Sequence, residues 1–301
     1  MSTTTKSPIA VAQRALTVAR KTLRPFAHRF SPKRYTQHQL FACLTLKIFF
    51  KTDYRGIVQY LRDLSDLRRV LRLTHIPHFT TLQKASVRLL RLRRARRLLH
   101  ATVRRFYGRR SRVRRVAFDS TGMDCGHASR YFIRRRSRGA TQRQTVRYTR
   151  FLKLELSVDT DTHAIVGVAT SRGPHPDVDR FVGLVDETLA SVRPQRIVAD
   201  AGYDSEPNHR YARLHHGVKS FMPASHGRPS RNLPTGQYRR QMRQRLNKQQ
   251  GGYGQRWQVE TVNSMIKRRL ATSVAGKWFA SQCRDGWLLA LTLNLMLDRS
   301  R

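Results

Sequence analysis

The chain has 301 residues, and 60 Lys and Arg against 18 Asp and Glu leave it a formal net charge of +42. Its 39% hydrophobic content is enough to build a core, which excludes disorder for most of the length. A charge of this size points to a polyanionic partner, nucleic acid first, because each phosphate neutralised by Lys or Arg releases condensed counterions.

The N-terminal MSTTTKSPIAVAQRAL has no apolar run of signal-peptide length, and the longest apolar stretch, Leu40 to Phe50, contains Lys47 and is too short for a bilayer. A cytoplasmic protein with no membrane partner is expected. Cys43, Cys125 and Cys283 are an odd set without a C-x-x-C pair, so neither disulfides nor a zinc finger is supported. Cys125 and His127 in DCGH read as a loop after a strand rather than as half of a metal site.

In chain order, helical spacing begins at Thr36. QHQLFACLTLKIFFK follows a Thr cap, and YRGIVQYLRDL and SDLRRVLRL are amphipathic helices with Asp53 and Ser65 as caps. After IPHF, Thr80 or Thr81 caps a long helix to about Tyr107, with Leu82, Val87, Leu90, Leu98 and Val103 on its apolar side. From Lys84 to Arg115 there are 14 cations and no acid. A merely solvated face would mix both signs, so this one is expected to lie on DNA, with Arg93, Arg94 and Arg97 in its densest part. IPHFTTLQKA fits the turn of a helix-turn-helix reader. Residues 1–112 thus read as an all-α basic DNA-binding region.

At Arg112 the period changes. RVRRVAFDST reads as a strand ending in a turn, FLKLELSVDT as a second strand and HAIVGVATS as its hairpin partner. A helix over DRFVGLVDETLASV, a buried strand QRIVADAGY, a helix near EPNHRYARLHH and a strand GVKSFMP complete the order β-β-β-α-β-α-β. A stretch of few apolar residues, 223–252, reads as a basic loop or small insertion. Two helices, QRWQVETVNSMIKRRL and RDGWLLALTLNLML, close the chain. Residues 113–301 are therefore an α/β domain with a mixed sheet and flanking helices.

The acids are placed unevenly. Residues 1–52, 67–118 and 207–259 contain none, and ten of the 18 fall between Glu155 and Glu206. Asp119 ends the first strand and Asp200 the fourth, so both face one sheet edge if those strands are adjacent and parallel. Glu260 follows the basic insertion. On a helix, Arg256, Asn263, Ser264, Lys267 and Tyr253 fall within about 60° of it, beside an apolar face of Val259, Val262, Ile266 and Leu270. Three hard carboxylates in a cationic protein suit two Mg²⁺ ions and phosphoryl transfer, with Arg256 and Lys267 on phosphate oxygens. The bland alternatives are a turn cap for each Asp and an Arg256–Glu260 ion pair.

VAFDST around Asp119, IVADAGYDS around Asp200 and YGQRWQVETVNSMIK around Glu260 resemble the catalytic segments of the DDE transposases of bacterial insertion sequences. Tyr253, Arg256, Glu260 and Lys267 match that family's Tyr-Arg-Glu-Lys signature without a gap. The resemblance implies a ribonuclease H-like core in which Asp119, Asp200 and Glu260 bind two Mg²⁺ or Mn²⁺ ions, and Tyr253, Arg256 and Lys267 contact terminal phosphates. It further implies a nucleoid-associated bacterial enzyme, acting as a homodimer in a synaptic complex with the element's terminal inverted repeats and target DNA. Some relatives have a Lys where this chain has Ala201 and a large insertion before the Glu, so neither a hairpin step nor a base-flipping Trp is carried over; Trp257 is expected to pack. The alternatives are a nuclease of the same fold without strand transfer and a decayed, non-catalytic DNA-binding protein.

Overall fold

The computed structural model describes residues 4–108, 111–125, 151–224, 233–245 and 250–297. The chain forms two compact units, one of Met1–Phe106 with Met265–Arg301 and one of Tyr107–Ser264.

The first unit is helical. It begins with α1 (Pro8–Thr22), α2 (Gln37–Phe49), α3 (Tyr54–Asp63), α4 (Ser65–Leu71), α5 (Phe79–Leu89) and α6 (Leu92–Tyr107). Helix α1 lies ahead of the expected start at Thr36. Ser7 caps it, Pro8 opens it, and its buried stripe is built largely of Ala and Val, which gives a shallow periodicity. Thr36 and Gln39 form a capping box on α2, and the Asp53 carboxylate accepts from the Gly56 N–H at 2.7 Å to cap α3. Ser65 does not cap α4; Leu64 holds that position without a side-chain bond. The long helix expected from Thr80 or Thr81 is two helices, because the chain leaves helical geometry after Leu89 and restarts at Leu92; His78, not a threonine, caps the first.

The second unit carries β1 (Arg112–Cys125), β2 (Phe151–Asp159), β3 (Ile165–Gly173), α7 (Phe181–Leu189), β4 (Arg193–Ala199), α8 (Glu206–Arg210), β5 (Lys219–Phe221), α9 (Gln237–Arg245) and the start of α10 (Trp257–Arg269). Its strands lie in the order β3-β2-β1-β4-β5. The β1/β2 and β2/β3 pairs are antiparallel, whereas β1/β4 and β4/β5 are parallel. This is the mixed, ribonuclease H-like sheet, with the strand sequence read from the periodicity. β1 does not end at Asp119: it runs on to Cys125, paired with β2 as far as Met123 opposite Leu152. The region expected as a basic loop or small insertion contains α9, whose segment QYRRQMRQR buries Met242 and little else.

The chain ends in α11 (Phe279–Met296), an apolar helix of the first unit. Its Asn294 is buried, donating to Thr102 Oγ1 at 3.0 Å while its carbonyl accepts from Arg105. Among the described residues no helix is long and apolar enough to cross a membrane.

Candidate active site

Parallel pairing between β1 and β4 ends with Phe118 opposite Ala199, so Asp119 and Asp200 follow side by side at one edge of the sheet. Open α/β sheets place ligands at such strand ends. The Asp119 carboxyl is half-buried, and its Oδ2 accepts from Asn263 Nδ2 at 2.9 Å. Burial pushes it up to about 6. The Ser120 N–H and the Arg256 charge oppose that rise, while Glu260 and Asp200 add to it as like charges. All three carboxylates and Arg256 therefore share one electrostatic field.

Asp200 is exposed, and its Oδ1 accepts from the Ala201 N–H at 2.8 Å, capping the turn that follows β4. Glu260 lies in the first turn of α10, half exposed, with Oε1 accepting from Arg256 Nη2 at 2.6 Å. Tyr253 precedes the helix in a 3-10 segment, Gln250–Arg256. There burial raises its phenol, and it interacts with Arg256, Asp200 and Glu260. Gly252, at φ +71°, lies within that segment, and a Cβ there would sit 2.3 Å from the Arg115 guanidinium carbon. Lys267 is two turns beyond Glu260 on α10 and half-buried.

Val259, Val262, Ile266 and Leu270 are buried, as their spacing predicts. Trp257 corrects the reading given to it: half of its surface is exposed. Its position is about 140–220° around α10 from those four residues, on the opposite face.

On α6, Arg93 and Arg97 are exposed; Arg94 is half-buried and donates to the Arg88 carbonyl at 2.9 Å. Cys125 is a free, half-buried thiol at the end of β1. His127 lies outside the described residues.

The acids clustered between Glu155 and Glu206 are largely matched inside the second unit. Buried Glu155 bonds Ser171 and Arg180, Asp177 pairs with Lys153 at 2.8 Å, and buried Asp204 pairs with Arg239 at 3.0 Å. Glu206 accepts from the Tyr238 and Arg239 N–H groups. By contrast, the side chain that donates to Asp119 among the described residues is the neutral amide of Asn263.

Among the described residues no three His, Cys, Asp or Glu side chains form a ready-made metal cage, with Glu260 turned to Arg256 and Asp200 to its own turn. The donors nevertheless suit a hard cation. The desolvated Asp119 carboxyl lies beside Asn263, whose Oδ1 is buried and has no hydrogen-bond partner among the described residues. Asn263 is on the polar stripe of the helix, where its residue type alone marks no role. It lies at the border of stripe and apolar face, where a small amide can be buried and still reach the site.

No curated protein matches the chain. A solved structure of the piggyBac transposase synaptic complex with hairpin DNA is similar at 10% identity, covering 98% of this chain and 76% of that chain, with a TM-score of 0.48. That likeness is too distant to transfer any residue. Residues 110–295 match the Transposase DDE domain family across the elements that hold Asp119, Asp200 and Glu260. The match spans more than half of the chain, and the protein belongs to the DDE transposase family.

Proposed function

We propose that the protein cleaves the ends of a mobile DNA element with water as nucleophile and joins the freed 3′-OH to target DNA. Asp119, Asp200 and Glu260 would hold two Mg²⁺ or Mn²⁺ ions. The observation that supports this reading is the single field shared by three carboxylates from β1, the end of β4 and α10. When bound, the ions supply activation of the attacking oxygen and stabilisation of the leaving one in an in-line displacement.

The chain's own residues do the rest. Asp119, fixed by the Asn263 amide, presents its second oxygen from a desolvated position. As a cation ligand Glu260 would leave the Arg256 fork free for a phosphate; Lys267 would add a point charge and the Tyr253 hydroxyl a donor. Residues 1–112 bind DNA, and a homodimer holds two element ends together. A nuclease of the same fold would use the same carboxylates but leave no joined product. Inverted repeats bracketed by short direct duplications around the gene would support transposition over cleavage alone.

Two predictions follow from residues outside the three carboxylates. Asn263→Ala removes both the donor to Asp119 and the buried oxygen. Mn²⁺ affinity, read by electron paramagnetic resonance on the DNA-free protein, should fall about 10–100-fold, the scale for losing a partner of a metal ligand. Unchanged affinity would reduce Asn263 to packing. Replacing Arg93 and Arg97 together by Ala should lower the slope of log K against log salt by about 2, at roughly 0.9 per phosphate lost. An unchanged slope would remove α6 from the interface. Arg94→Ala should do less, since that guanidinium is already engaged with a carbonyl.

A further inference from the structure

The helical unit contains a cavity of about 700 Å³ bordered by the end of α2, the start of α3, α5, the segment after α10 and the first half of α11. Its size is within the roughly 300–1,000 Å³ of small-ligand sites. At its base Lys47 Nζ lies 4.7 Å from the Tyr54 ring centroid and 4.0 Å from Asp285. Lys51, Lys277 and Arg284 also line it. The two acids in the lining are engaged internally: Asp53 caps α3, and Asp285 holds the Gly276 N–H at 3.2 Å beside Lys47. The cavity therefore has a surplus of positive charge.

Trp278 borders this cavity with 79% of its surface exposed, and Val87, 44% exposed, lines it too. The tryptophan is not on a loose segment. Its backbone N–H donates to Ser281 Oγ at 3.2 Å, and its backbone carbonyl accepts from the same hydroxyl at 2.7 Å. Two residues earlier, the Gly276 carbonyl accepts from Gln282 Nε2 at 3.0 Å. A fixed backbone that keeps an indole in water offers a flat apolar face to a planar partner, and the cations beside it suit a phosphate.

We propose that this cavity receives one unstacked nucleotide of DNA, its base stacked on Trp278 and its phosphate held by Lys277 and Arg284. A stacked base pair offers no free face to the indole, so the site would select unpaired bases. This rests on the reading of the chain as a DNA-binding protein, but it assigns a contact outside the stripe of Tyr253, Arg256, Glu260 and Lys267.

The test measures binding in chelator, where no strand is cut, of two short duplexes: one fully paired and one with a single unpaired 2-aminopurine. Wild type should prefer the unpaired base on the order of tenfold, the scale of one base–aromatic stack, and should quench its fluorescence. Trp278→Ala should lose the preference while binding the paired duplex as before; Trp278→Phe should keep most of it. A preference that survives in Trp278→Ala, or its absence in wild type that still binds paired DNA, would overturn this site alone. Dissociation of a dimer in Trp278→Ala with unchanged binding would also overturn it, assigning the face to a second copy. Wild type that binds neither duplex would overturn the DNA-binding reading as well.

Discussion

Replacing Asp119 by Asn is expected to abolish strand cleavage, by at least about 10²–10³-fold, while making the cation-free protein more stable. The two effects have one cause. Burial raises the folded-state carboxyl from 3.8 to about 6, so the folded state binds the proton more tightly than the unfolded one. The stability linked to that proton is present below about pH 4 and is lost as pH rises through about 6. The interval corresponds to about 3 kcal/mol at pH 7 and above. Asn keeps an acceptor for the Asn263 amide and carries no charge to bury. Urea unfolding in chelator should therefore find the variant more stable than wild type at pH 7.5 and nearly equal to it at pH 4. Added Mn²⁺ should stabilise wild type only. A variant less stable than wild type at pH 7.5 would show that Asp119 is held by favourable contacts rather than strained by its position.

Glu260→Gln should lose cleavage on the same scale but leave stability almost unchanged. Glu260 is half exposed and paired with Arg256 one helical turn away, and such a pair contributes only about 0.3–0.5 kcal/mol. With Glu260 neutral, Arg256 keeps its full charge for a phosphate, so DNA affinity in chelator should hold or rise. Unfolding curves and binding isotherms on the same preparation check both. Loss of DNA binding in step with cleavage would count against a metal role for Glu260. The two carboxylates proposed for one chemistry differ in solvation, Asp119 being the more buried and Glu260 the more exposed.

Much of this was legible in the sequence because of what the chain lacks. In a protein with so few acids, Asp119 and Glu260 stand alone within long cationic stretches. The alternation of FLKLELSVDT and HAIVGVATS, followed by the helix and the strand into Asp200, was enough to order the strands. Adjacency of Asp119 and Asp200 was conditional on parallel pairing, which only the register of β1 against β4 supplies. The extension of β1 to Cys125 was hidden because STGM has the composition of a turn, and its pairing with β2 overrides that propensity. Helix α1 was missed because Ala contributes little to an apolar period, and the break after Leu89 because Leu and Arg are good helix formers on both sides of it. Trp257 could have been placed correctly, since its angle to Val259 and Ile266 is arithmetic. Asn263 could not: an uncharged amide is marked as functional only by the carboxylate it bonds and by the oxygen it leaves buried.

The most direct test of the central claim is end processing by the purified protein. A duplex taken from one boundary of the element proposed to carry its gene would be incubated with Mg²⁺, with chelator, and with each of Asp119→Asn, Asp200→Asn and Glu260→Gln. The account predicts a 3′-OH nick at the element end and, with target DNA present, a joined strand, both only for wild type with Mg²⁺. Cleavage at that position that persists in chelator, or in any of the three variants, would contradict it.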